Sequence, residues 1–155
     1  MMREIPPGTD EFEMSVIGPG RGECVILHLG DNAWCVIDSC IGAGSTVAAA
    51  VEYLSAFGTP AIEGVRLVIA THWHDDHIRG IASALKQFPN ASFSCSIAVN
   101  TAQFIELVEL TSLALPGNSG LDEFRNVFDV LSTRKATKRG ATLSRLALPS
   151  SNANS

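Results

Sequence analysis

The stretch that decides the fold runs from residue 67 to residue 77 and reads Leu-Val-Ile-Ala-Thr-His-Trp-His-Asp-Asp-His. Its apolar, partly β-branched beginning predicts a buried strand. The apolar positions after residue 77 recur with the spacing of an amphipathic helix that ends near residue 88. Between the two lies an H-x-H-x-D-H pattern, made by His72, His74, Asp76 and His77. The sequence therefore predicts a strand, a polar turn and a helix.

Metal binding is the simplest explanation for this turn, because crowded imidazoles and carboxylates are costly to desolvate without a cation. In an extended segment His72 and His74 project to the same side and can reach one ion. Asp76 and His77 are better placed for a second ion beside the first. Imidazole and carboxylate ligands without thiolate suit zinc, with manganese or iron as substitutes. The alternative is a solvated surface loop in which Asp75 or Asp76 caps the next helix.

Size and charge limit the remaining possibilities. A chain of 155 residues with 46% hydrophobic content can bury one core and is too short for two ordinary domains. A net charge of −5 gives no overall attraction to nucleic acid or anionic membranes. No apolar stretch approaches the roughly 20 residues that cross a bilayer, and the first residues lack the apolar core of a signal peptide. We expect a cytoplasmic protein.

The remaining elements follow from hydrophobic periodicity and turn residues. An extended arm should precede the first strand, Ser45 is a plausible N-cap, and 58–64 reads as a turn. The acids Asp122, Glu123 and Asp129 are expected to face water. Strands are predicted at 12–17, 24–29, 34–38, 65–70 and 91–99, and helices at 46–57, 101–115 and 121–131. This order predicts an α/β (α+β) fold with a mixed sheet faced by helices.

Several residues outside the turn have two possible roles. His28 interrupts an apolar strand, and we favour a hydrogen-bonded sheet histidine over a metal ligand. Cys24, Cys35, Cys40 and Cys95 are expected to be buried and reduced, with Cys40 a less favoured candidate for the metal site. Basic residues concentrate after residue 132, which predicts a solvated tail or, less favoured, an anion-binding patch.

The segment from Thr71 to Gly80, T-H-x-H-x-D-H-x-x-G, resembles the signature of the metallo-β-lactamase fold hydrolases. The resemblance implies an αββα sandwich, of which this chain supplies the N-terminal half over residues 1–133, followed by a basic flexible tail over 134–155. It also implies that Asp38 fixes the tautomer of a ligand histidine and that Thr71 supports the ligands without binding metal. Within the superfamily, segments 20–31 and 36–39 look most like the hydrolase domain of DNA-uptake competence proteins.

The resemblance implies a metal-dependent hydrolase with two Zn²⁺ ions, in which a metal-bound hydroxide attacks an ester or a phosphodiester. Asp76 would orient the hydroxide, and Trp73 and Asp75 would face away. The family takes further ligands from its second half, yet no histidine follows His77. Two alternatives therefore stay open. The chain is a truncated or inactive metal-binding module that a partner, a second copy or a missing C-terminal half completes, or it binds nucleic acid through the basic tail.

Overall fold

The computed structural model describes residues 5–18, 22–71, 74–95, 119–136 and 143–145. Its strands are β1 (Phe12–Ile17), β2 (Cys24–Leu29), β3 (Trp34–Ile37), β4 (Val65–Ala70), β5 (Ser92–Cys95) and β6 (Leu143–Arg145). Its helices are α1 (Ala49–Ser55), α2 (Thr59–Gly64), α3 (Asp75–Ile78), α4 (Ile81–Gln87) and α5 (Ser119–Ala136). The predicted mixed sheet with helices is confirmed.

The strands form one sheet in the order β1-β2-β3-β4-β5-β6. The first three are antiparallel neighbours, whereas β3, β4, β5 and β6 pair in parallel. The strands predicted at 12–17, 24–29 and 65–70 are confirmed with these bounds. Since Ile37 pairs with Ile69 and Ala70 with Cys95, the carboxyl ends of β3, β4 and β5 meet at one edge of the sheet.

The core lies on one face of this sheet. Ile26, Val36, Val68 and Phe93 form a continuous row across four strands and are almost fully buried. Helices α1, α4 and α5 contribute Leu54, Leu85, Phe124 and Val127 to the same hydrophobic cluster. Burying large aliphatic and aromatic side chains contributes about 1.5–3 kcal/mol each, so this row provides much of the stability.

The opposite face of β1 and β2 is apolar and exposed. Phe12, Met14, Val16 and Leu29 have exposed fractions of 68%, 61%, 60% and 55%. Phe12 is paired with Leu29 in the antiparallel register, so these side chains form one patch on the sheet. An exposed apolar patch of neighbouring side chains is unusual for a solvated sheet face.

Helix α1 begins later than predicted, and Ser45 is not its N-cap. The N-cap is Ala48, which makes no capping side-chain hydrogen bond. Ala48 is held instead by a bridge to Ile41, and the Ala49 amide donates to the Cys40 carbonyl at 2.9 Å. Tertiary pairing of residues 40–41 thus decides the start of the helix. The Ser45 hydroxyl accepts the Val47 amide at 3.0 Å within the preceding turn.

The prediction of a turn at 58–64 was wrong, because α2 occupies most of this segment. Pro60 lies in its first turn, where a missing amide proton does no harm. At its end, a Cβ on Gly64 would collide with the carbonyl of Asn32 and approach Trp34 Cδ1 to 2.9 Å. The close approach of helix and strand therefore requires glycine here.

The helix predicted after the motif is divided into α3 and α4. Gly80 separates them with a φ of +84°, a left-handed conformation that glycine adopts without strain. The predicted buried face is confirmed, since Ile78, Ile81, Ala82 and Leu85 are all at most 3% exposed.

Helix α5 extends beyond the predicted 121–131 at both ends. Phe124, Val127 and Leu131 are buried as predicted, and Asp122 and Asp129 are exposed as predicted. Glu123 does not simply face water, because its carboxylate accepts two backbone hydrogen bonds from residues 80 and 82. The helix continues past residue 133 to Ala136, and the side chain of Arg134 is buried.

Other predictions fall partly outside the described residues. These include the strand residues 96–99, the helix 101–115 and most of the basic tail, so the division at residue 133 and nucleic-acid binding stay predictions. The four cysteines are buried and free, as expected. No helix in the described part of the chain is long and apolar enough to span a membrane.

Candidate metal centre

Strand β4 brings the polar motif to the edge of the sheet at which the parallel strands end. Thr71 follows directly after β4, and His72 and Trp73 lie outside the described residues. His74 is exposed, and its carbonyl accepts the amides of His77 and Ile78 at 2.9 and 3.2 Å, which starts α3. Asp76 and His77 therefore project from a one-turn helix beside the end of β4.

Asp38 approaches this turn from the neighbouring strand. It follows β3 with a φ of +58°, a conformation that aspartate tolerates better than most residues, and only 4% of it is exposed. Its Oδ1 accepts the Thr71 amide at 2.7 Å, and its Oδ2 accepts the Thr71 hydroxyl at 2.6 Å. Ring Nδ1 of His77 lies 3.0 Å from the same Oδ2. Three donors thus compensate for burying the carboxylate.

This contact determines the chemistry of His77. A carboxylate only accepts hydrogen bonds, so Nδ1 must carry the proton. In the neutral ring, Nε2 then carries the lone pair, which is the form that binds a metal. The Asp76 Oδ2 lies 3.9 Å from this Nε2. Two ligands of a tetrahedral zinc ion are roughly 3.4 Å apart, so a small side-chain rotation would let both bind one ion.

The backbone of the turn is held by residues that the sequence did not single out. The Ser39 amide donates to the His77 carbonyl at 2.7 Å, and the Ser39 hydroxyl donates to the Arg79 carbonyl at 3.0 Å. Gly22 packs directly on the Asp76 carbonyl, so that a Cβ would overlap the oxygen. Its φ of +89° also favours glycine. No hydrophobic periodicity marks Ser39, whereas Gly22 is one of three glycines between residues 18 and 22, a composition typical of a turn.

His28 is remote from this edge. It pairs with Trp34 at the beginning of β3, whereas Asp38 follows the end of that strand. Only 1% of His28 is exposed, and its Nδ1 lies 2.8 Å from the carbonyl oxygen of Glu11. The prediction of a hydrogen-bonded sheet histidine is confirmed.

Cys40 lies near the turn but is bound elsewhere. Its thiol donates to the Ile17 carbonyl at 3.6 Å. Burial, assisted by the charge of Glu23, raises the pKa of this thiol. A protonated thiol is a poor metal ligand, so the geometry gives Cys40 a packing role.

The donors present fit part of a metal site. Within the described ranges, no three His, Cys, Asp or Glu side chains are grouped to hold an ion. The Asp76 and His77 pair has suitable donor chemistry, and Asp38 orients the ring as carboxylates commonly orient ligand histidines. The described residues thus supply two donors, Asp76 and His77, for one ion. Of the other two side chains of the motif, His74 is exposed, and His72 lies outside the described residues.

Comparisons with known proteins identify the family of this chain. The model of the Metallo-beta-lactamase superfamily matches residues 17–115. A solved structure described as hydrolase AbOPH in the beta lactamase superfamily is similar, with 23% identity over 81% of this chain and 43% of that chain and a TM-score of 0.47. A second is AidC, a dizinc quorum-quenching lactonase in complex with a product, N-hexnoyl-L-homoserine, with 16% identity over 90% of this chain and 46% of that chain and a TM-score of 0.46. This chain therefore spans less than half the length of either structure. No curated protein matches the sequence.

Proposed function

Because the chain belongs to the metallo-beta-lactamase superfamily, we propose that it is a metal-dependent hydrolase, or the metal-binding half of one, acting on an ester or a phosphodiester. The observation that carries the proposal is the hydrogen bond between Asp38 and His77. Burying a charged carboxylate so that it orients the half-buried ring of His77 costs desolvation free energy. It is the arrangement expected where the other ring nitrogen must meet a metal ion in a fixed direction.

Each polar residue of the turn has a distinct role in this proposal. His72 and His74 hold one ion, and Asp76 and His77 hold the other. Asp76 also orients the attacking water, which makes it the catalytic residue. Divalent ions, zinc or else manganese or iron, polarise the substrate oxygen and activate water near neutral pH when bound. Thr71 acts indirectly, because its amide and hydroxyl fix the Asp38 carboxylate.

The substrate class is the least constrained part of the proposal. A phosphodiester is favoured by the similarity of segments 20–31 and 36–39 to the competence-type branch. Lactams, thioesters and other esters are alternatives, and all share an electrophilic centre beside an oxygen that a cation can polarise.

Metal analysis together with turnover tests the function. The chain should hold close to two Zn²⁺ ions and hydrolyse bis(p-nitrophenyl) phosphate or a p-nitrophenyl ester, with chelator abolishing turnover. His74→Ala should abolish turnover, whereas Lys86→Ala, which changes an exposed side chain on α4, should leave it unchanged. Equal activity of chelated, His74→Ala and unsubstituted protein would refute the metallohydrolase.

A second candidate is a half-site that becomes complete only with a partner, a second copy or a C-terminal half. The exposed apolar patch of Phe12, Met14, Val16 and Leu29 favours it, because a covering layer would bury that patch. This candidate predicts fewer than one weakly held Zn²⁺ ion per chain and no turnover by the isolated chain. Sedimentation velocity with and without Zn²⁺ then distinguishes a completing second copy, which raises the mass, from a missing segment, which leaves a monomer.

A further inference from the structure

Glu123 on α5 binds the backbone at the start of α4. Its Oε1 accepts the Gly80 amide at 3.1 Å, and its Oε2 accepts the Ala82 amide at 3.2 Å. The first amides of a helix have no partner within the helix, so an acidic side chain stabilises them through hydrogen bonds and the helix dipole. Neither amide belongs to α5, and Glu123 is 43 residues away from Gly80.

The position of these amides matters because Gly80 closes the ligand-bearing turn. Only Arg79 lies between it and α3, which carries Asp76 and His77. Ser39 holds the carbonyls of His77 and Arg79 from one side. Glu123 holds the following amide from α5, so the turn is fixed between two separate parts of the fold.

Arg134 makes the opposite contact at the other end of α4. Its guanidinium donates to the carbonyls of Leu85, Phe88 and Ala91. Eleven residues after Glu123 is about three helical turns, so both side chains lie on the same face of α5. The two helices therefore run parallel, with a negative group at the start of α4 and a positive group at its end. Both residues join α5 to α4, but only Glu123 adjoins the turn.

We infer that Glu123 is a positioning residue for the metal centre, which keeps Asp76 and His77 in their binding geometry by fixing the Gly80 backbone. The inference rests on the proposed function. Helix α5 lies beyond residues 17–115, so the family match does not assign this role. Loss of the carboxylate would let the turn relax at Gly80 while Asp38 still orients the imidazole.

Zinc affinity of matched variants tests the inference. Full-length chains are titrated with Zn²⁺ against a chromophoric chelator, at a temperature at which urea titration shows each variant to be folded. Glu123→Ala should bind Zn²⁺ about tenfold more weakly, the lower end of the usual effect of groups that orient ligands. Arg134→Met, which removes the other α4 contact, and Asp122→Ala, which removes an exposed acid from the same helix, should stay within about twofold. Glu123→Gln keeps one acceptor oxygen, so its zinc affinity should lie between those of Glu123→Ala and the unsubstituted chain.

Amide hydrogen exchange gives a readout that needs no metal. Exchange at Gly80 and Ala82 should accelerate in Glu123→Ala relative to Asp122→Ala. Unchanged exchange, or equal zinc affinity of Glu123→Ala and the unsubstituted chain, overturns the inference and leaves the proposed function intact. The inference is also overturned if Arg134→Met loses as much zinc affinity as Glu123→Ala. Loss of any contact between α5 and α4 would then explain the weaker binding. If the unsubstituted chain binds no Zn²⁺, the proposed function fails and the inference fails with it.

Discussion

His77 Nδ1 lies 3.0 Å from the Oδ2 of Asp38, so a hydrogen bond links the residue that follows β3 to the one-turn helix α3 beside the end of β4. Asp38→Asn should weaken Zn²⁺ binding by about 10–100-fold, because an amide cannot accept from Thr71 and His77 with both of its terminal atoms. Asp31→Asn is a matched control, since Asp31 is exposed and also has a positive φ, of 47°. Competition titration with a chelator measures both. Similar affinities for the two variants would contradict a role for Asp38.

Gly22→Ala should destabilise the fold through a clash as well as through backbone strain. Its Cβ would collide with the Asp76 carbonyl and approach Cys40 Cβ to 3.3 Å. Gly44→Ala separates the two effects, because Gly44 has a φ of +80° and nothing within 4 Å of its Cβ. We expect Gly44→Ala to cost about 1 kcal/mol of unfolding free energy and Gly22→Ala about 2 kcal/mol more. Urea denaturation measures the difference between the two variants. Equal losses of unfolding free energy would show that the turn moves to accommodate the added methyl group.

Arg134→Met should lower the unfolding free energy by about 2–3 kcal/mol, because three buried carbonyl groups lose a charged donor. Arg125→Met is the control on the same helix, since Arg125 is exposed and should change stability by no more than about 0.5 kcal/mol. Equal urea midpoints for the two variants would show that the Arg134 contacts contribute nothing in solution.

Alkaline pH should destabilise the protein through its buried thiols. Burial raises the pKa of Cys24 to about 12 and that of Cys95 to about 11, against about 8.5 for an unfolded cysteine. The folded chain therefore keeps protons that the unfolded chain releases, so stability is fully present below about pH 8 and falls as pH rises toward the folded pKa values. From about pH 7 to about pH 10, Cys24→Ala should lose about 1–2 kcal/mol less than the unsubstituted chain. Urea titrations at both pH values measure these losses. An equal loss of unfolding free energy in Cys24→Ala and the unsubstituted chain would contradict this account.

The sequence was sufficient for features that depend on local pattern. Alternation located β1 and β2, and the polar run after β4 located Asp76 and His77, because parallel strands deliver their ends to one edge. Prediction from the sequence failed where contacts between distant residues determine the structure. The alanine-rich segment favoured a helix from residue 46, but pairing of Ile41 with Ala48 delays its start. The partners of Glu123 and Arg134 are more than forty residues away and depend on how α5 docks, which no local pattern encodes.

The turn that carries Asp76 and His77 is restrained largely through main-chain atoms, namely the carbonyls of Asp76, His77 and Arg79 and the amide of Gly80. Restraint through main-chain atoms does not depend on which side chains the turn carries. The exposed positions 74 and 76 can therefore exchange one donor type for another while the loop keeps its path. Under the proposed function, single substitutions at these two positions would change the preferred metal without a new scaffold.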